Sequence, residues 1–86
     1  MILPNVGDKI YIIQLRKKEY QIGIIKEIED VDDCIGLLVD WIINPLASRY
    51  LSYFKYRFHD LRFMFGDDVI VSFKEEYFIE DLKKIC

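Results

Sequence analysis

The chain has no threonine at all and few other small polar residues: three Ser, two Asn and two Gln in 86 residues. It carries a single histidine, two cysteines, two prolines and four glycines. Each scarcity excludes something. One His and two distant Cys do not make the three or four converging ligands that zinc requires. Gly7, Gly23, Gly36 and Gly66 are scattered, so no glycine-rich loop cradles a phosphate. The serines at 48, 52 and 72 have no base beside them that would mark a nucleophile. Cys34 and Cys86 lie far apart with no local framework, and both are expected as free thiols. The sequence opens Met-Ile-Leu-Pro-Asn, without a basic region or an apolar run of signal length, and no window reaches the ~18 apolar residues of a membrane span. These absences lead to the expectation of a soluble cytoplasmic protein with no cofactor and no metal, not an enzyme, and with no membrane partner.

What is present is apolar and aromatic. Hydrophobic residues make up 52% of the chain and aromatics 15%, which supports a core and excludes a disordered segment. Ile alone fills fourteen positions. A length of 86 residues leaves room for one core, so a single domain over 1–86 is expected. The net charge is −3, which argues against wholesale phosphate binding but not against a local patch.

Pro4, Asn5, Gly7 and Asp8 form a turn that delivers the chain into a first strand, Lys9 to Leu15, apolar on both faces. A polar connector at 16–19 leads to a second strand, Tyr20 to Glu29, with Tyr20, Ile22, Ile24, Lys26 and Ile28 read as its core face. Gly23 there signals a bend, a bulge or a close backbone approach. After the turn Asp30–Asp33, Cys34 to Ile43 is a third strand. Asn44-Pro45 reads as a helix start, with Leu46 to Tyr53 forming up to two helical turns before extended structure resumes. Leu61, Phe63 and Phe65 alternate again. Gly66-Asp67 turns into a strand from Asp68 to Phe73, Lys74–Glu76 turn once more, Tyr77-Phe78 is a short strand, and Ile79 to Ile85 is a terminal helical turn closing the barrel. The expected fold class is mainly β: a small SH3-like antiparallel barrel with a short helical or extended insertion at about 44–66.

Three stretches carry a family resemblance. They are Val6-Gly7-Asp8-Lys9-Ile10, Tyr20-x-Ile22-Gly23-Ile24-Ile25-x-x-Ile28, and Phe78-Ile79-Glu80-Asp81-Leu82. Together they resemble a small SH3-like barrel of the Tudor and KOW kind. The resemblance covers both ends of the chain and leaves about 44–66 outside it. It implies a binding module, and the methyl-reading members would use an aromatic cage for which Tyr11, Tyr20 and Trp41 are the available side chains. The Gly-Asp start and the Tyr-x-x-Gly-x-Ile strand are also similar to small immunity proteins of bacterial toxin systems. That likeness implies an accessory, inhibitor or immunity-type protein of a bacterium or mobile element.

His59-Asp60 sets the lone imidazole next to a carboxylate, but neighbours in an extended chain point to opposite faces and do not make a dyad. The acids of 27–33 lack the glycine and terminal glutamate of a calcium loop and read as a solvated hairpin tip. The informative stretch is Pro45 to Phe65. It holds Arg49, Lys55, Arg57 and Arg62 against Asp60 alone, and seven of the thirteen aromatics. Arg49, Tyr50, Tyr53, Lys55, Tyr56, Arg57 and Arg62 are therefore the candidate partner-binding residues. Tyr and Arg are typical of protein interface anchors. The same mixture stacks bases and pairs phosphates in single-stranded nucleic acid, and it also suits aromatics that merely cover a barrel end. A protein partner is the expectation, a homodimer through this segment is one form of it, and nucleic acid is the alternative.

Overall fold

The computed structural model describes residues 2–58 and 60–86. Six strands form one antiparallel sheet: β1 (Lys9–Gln14), β2 (Glu19–Val31), β3 (Cys34–Ile43), β4 (Tyr50–Phe54), β5 (Arg62–Phe65) and β6 (Val69–Ser72). A 3-10 turn, Lys55–Arg57, follows β4, and helix α1 (Glu75–Leu82) ends the chain. The strand order is β4-β3-β2-β1-β6-β5, so β4 and β5 are the two edges. The sheet curls into a half-barrel, mainly β and compatible with an SH3-like fold. Among the described residues no backbone ladder joins its edges. Tyr53 of β4 instead meets Phe63 and Phe65 of β5 edge-on, at 5.1 and 5.7 Å between ring centroids.

The sheet is apolar on both sides because both sides are covered over part of its width. Ile10, Ile12, Ile25, Ile35, Leu37, Val39, Tyr53, Phe58, Val71 and Phe73 fill the concave interior. On the convex side, Tyr11, Ile13, Ile70 and Phe78 form a second cluster, flanked by Tyr20, Ile22, Leu82 and Ile85. β1 thus lies between two cores, as its double apolar pattern implied.

The face of β2 differs from the expectation. Tyr20 and Ile22 pack under α1, whereas Gln21 and Ile25 are buried on the opposite side. Alternation misleads here because the inward positions are occupied by a glutamine and a glycine. Gln21 is satisfied inside by Gln14, whose Nε2 donates to its Oε1 at 3.0 Å. A Cβ on Gly23 would collide with Val39 Cγ1 and stand 3.2 Å from the Asp40 carbonyl oxygen, so the glycine permits close approach of β3. A register shift between Ile25 and Glu27 then returns Ile28 to the interior.

Residues 46–53 contain no helix. Asn44 adopts φ 54°, a left-handed turn that Asn tolerates, and its Nδ2 donates to the Tyr20 carbonyl oxygen at 3.1 Å. The chain therefore doubles back and pairs with β3. The stretch 44–66, expected as an insertion, contributes both edge strands of the sheet. The C-terminus also differs: Tyr77-Phe78 is helical, α1 starting at Glu75. Phe78, Leu82 and Ile85 recur at helical spacing and lie on the convex cluster, so α1 covers the back of β1 and β6 and does not close the barrel. Glu75 and Glu76 sit in its first turn, where the helix dipole favours negative charge. No helix among the described residues is long and apolar enough to cross a membrane.

Candidate protein interface at the open seam

The 3-10 turn after β4 concentrates the aromatic and basic side chains. Alternation along β4 sends Leu51 and Tyr53 inward and leaves Tyr50, Ser52 and Phe54 on the convex side. The turn then brings Tyr56 back over Phe54, with the rings stacked at 5.6 Å and 18°. Arg57 follows and lies across the seam, its guanidinium 5.5 Å from the Tyr56 ring centre and 5.2 Å from that of Phe65. Its Nη1 donates to the Met64 carbonyl oxygen at 3.3 Å. A groove of about 240 Å³, lined by Cys34, Ser52, Tyr53, Phe54, Arg57 and Phe65, runs along the seam. Phe54 is 49% exposed and Tyr56 61%, and Met64 and Phe65 are also exposed, which makes this an apolar patch crossed by one cation.

The seven sequence candidates separate on the fold. Tyr53, Tyr56 and Arg57 converge on the seam. Tyr53 is a core residue there rather than a free anchor: its ring packs on Phe58, Phe63 and Phe65, and burial pushes its phenol up to about 12. Lys55 is half-buried and its Nζ pairs with Asp30. Tyr50 lies across Gly36, and its hydroxyl donates to Glu29. That hydrogen bond, followed by desolvation and the charges of Glu29 and Glu27, raises its pKa. Arg49 pairs with Asp40 at 3.7 Å. Arg62 stands apart on the α1 side, 3.8 Å from both Glu80 and Asp81 and 4.8 Å over the Tyr77 ring.

Sequence reasoning missed Phe54, Met64 and Phe65 as surface residues of the site. The alternation Ser52, Phe54, Tyr56 was legible, but the helical turns expected over Leu46–Tyr53 cut it off from Tyr50 and left its outward face unassigned. Phe65 reaches the seam only because the sheet curls. The aromatics expected for a cage do not assemble: Tyr11 stacks on Phe78 at 4.7 Å, Tyr20 meets the same ring at 5.4 Å beneath α1, and Trp41 packs on the concave cluster and donates Nε1–H to the Ser48 carbonyl oxygen. The His59-Asp60 pair lies partly outside the described residues, His59 being undescribed. Among the described residues no group of three His, Cys, Asp or Glu converges as a metal site, and Cys34 and Cys86 are free thiols. No family model, curated protein or solved structure matches the chain.

Proposed function

We propose that the protein is a non-enzymatic binding module that acts by protein–protein interaction through the seam between β4 and β5, as a small accessory, inhibitor or immunity-type protein would. The observation that carries this reading is the apolar patch of Phe54, Tyr56, Met64 and Phe65 crossed by Arg57, a composition suited to an interface core. Capture is steric: the aromatic pair supplies area at low entropic cost and Arg57 supplies direction. The reading does not rest on a Tudor-type cage, since Tyr11 and Tyr20 are spent on packing α1.

The electrostatics favour protein over nucleic acid. Three of the four basic residues of 49–62 face carboxylates, Arg49 on Asp40, Lys55 on Asp30, and Arg62 on Glu80 and Asp81. Among the described residues of this segment that leaves one uncompensated cation for phosphates, where strong backbone binding uses several. The test is capture from native lysate, with and without nuclease, by the protein and by its Phe54→Ser, Tyr56→Ser variant. A protein captured in both halves and lost with the variant is expected. Binding of single-stranded oligonucleotides with a steep salt dependence, unaffected by competing protein, would overturn the reading.

A further inference from the structure

Which backbone groups of the seam are open follows from the hydrogen-bond phase of the two edge strands. Val39 N–H donates to the Arg49 carbonyl at 2.7 Å, and Lys55 N–H to that of Asp33 at 2.7 Å. In an antiparallel ladder bonded and non-bonded positions alternate. Leu51 and Tyr53 therefore bond β3, and Tyr50, Ser52 and Phe54 direct their backbone groups away from the sheet. At Tyr50 both groups are already taken: its N–H donates to Ser48 Oγ at 3.1 Å, and Ser48 Oγ–H donates to its carbonyl at 2.9 Å. On β5 the same argument, from Phe73 N–H donating to the Leu61 carbonyl at 2.9 Å, turns Met64 outward. Its carbonyl is capped by Arg57. What remains on β4 is Ser52 N–H, Ser52 C=O and Phe54 N–H, on exposed residues, with no partner among the described residues. Edges left in this state pair readily with an incoming strand.

Arg57 specifies the chemistry of that strand. It is the one base of 49–62 without a carboxylate among the described residues, and its Nε is buried with no hydrogen-bond partner. We propose that the open edge of β4 at Ser52–Phe54 accepts an extended segment of a partner protein as an added antiparallel strand, and that Arg57 receives a carboxylate from that segment. The proposal rests on the protein-binding reading and names its mode. In the antiparallel sense the carboxylate precedes the residues paired with Phe54 and Ser52, and the side chain opposite Phe54 is apolar, because it lies on the convex side beside Phe54 and Tyr56. A second copy of this chain does not fit. Pairing two β4 strands about Ser52 sets Lys55 opposite Arg49, and residues 46–57 contain no Asp or Glu to offer Arg57.

The probe is a phage-displayed library of random linear peptides selected on the full chain. Enriched peptides are expected to share an Asp or Glu followed by alternating apolar residues. Arg57→Gln is expected to weaken the best of them about tenfold or more, the scale of a lost charge-assisted hydrogen bond, as is Glu→Gln or Asp→Asn in the peptide. Methylating the backbone nitrogen of the peptide residue opposite Ser52 is expected to have a similar effect, and the Ser52 and Phe54 amides should gain protection from hydrogen exchange on binding. Ser52→Pro removes only an outward N–H and should abolish binding; Arg57→Gln, at a half-buried side chain outside the core clusters, covers the case in which the proline variant does not fold. Failure to enrich peptides, peptides without a carboxylate, or insensitivity to nitrogen methylation would overturn the proposal. A dimer of the free chain that Ser52→Pro dissociates would overturn it too, in favour of a second copy. If a captured partner protein depends on Phe54 and Tyr56 but not on Arg57 or on the Ser52 edge, strand addition fails while the protein-binding reading stands.

Discussion

The convex side of the curled sheet is finished in two ways. Behind β1 and β6, helix α1 lays Phe78 and Leu82 over Tyr11, Ile13 and Ile70, and no aromatic of that half is left bare. Behind β3 and β4 no element of the described residues covers the sheet, and Phe54 and Tyr56 stack on each other in solvent. Arg49 and Lys55 on the bare half are paired with Asp40 and Asp30, and the contrast in charge rests on Asp81 and Arg57. On the covered half, Asp81 is only 1% exposed, with Lys84 at 3.3 Å and Arg62 at 3.8 Å. On the bare half, Arg57 has rings and a carbonyl for company but no carboxylate among the described residues. The covered half invests its aromatics in folding, whereas the bare half keeps them accessible beside an open strand edge.

Substitutions can break this contrast, and the largest effects lie in the shared interior. Phe58 is fully buried and packs against Tyr53, Phe63 and Phe73. Phe58→Ala should cost about 3–5 kcal/mol and lower amide protection throughout the sheet in hydrogen exchange. Phe78→Ala, at about 3 kcal/mol, should expose the α1 amides while those of the barrel stay protected. Equal loss of protection in both variants would mean that the helix-covered half is not a separable layer.

Alkaline stability sharpens the same comparison at the seam. Burial holds the Tyr53 phenol at about 12 against an ordinary 10.0, so the folded state keeps its proton where the unfolded chain loses it. The contribution is complete below pH 10 and is lost as pH rises towards 12, about 2–3 kcal/mol over that window. Stability from urea melts should fall less steeply between pH 10 and 12 for Tyr53→Phe than for the protein, and equal falls would exclude the phenol as the cause.

Smaller effects distinguish the two halves most clearly. Asp81→Asn removes a buried charge whose cationic partners are partly exposed, and should cost about 1–2 kcal/mol in a denaturant melt. The double change Phe54→Ser, Tyr56→Ser should alter stability by about 1 kcal/mol or less while abolishing partner capture. A loss of stability as large as that from Phe78→Ala would mean that the bare half is structural after all.

The strands were legible where one residue type dominates each face. Cys34–Ile43 reads as β3 from end to end because its inward Ile35, Leu37 and Val39 alternate with residues that tolerate the outside. The candidate site was legible in composition but not in arrangement. Tyr53, Tyr56 and Arg57 do meet at the seam, yet Arg49 and Tyr50 are tied along β4 and Arg62 belongs to the helix. Spacing cannot separate these cases, because β4 and β5 are brought together by curvature that accumulates over all six strands. Tyr77-Phe78 has the local look of a strand, and the apolar back of β1 and β6 makes its helical form favourable.

The sequence by itself determined that this protein is a mainly β chain rich in apolar residues, and that its aromatics and bases crowd into 45–65. Those are properties of composition and short-range alternation, which act before any long-range contact forms. Tertiary structure decided which face of β2 is the interior, which bases keep a free charge, and which edge of the sheet stays open. Each depends on contacts between different elements: Val39 against Gly23, Asp40 against Arg49, Arg57 against Met64. Strand register sets the first two encounters and the curl of the sheet sets the third, and no single segment encodes either.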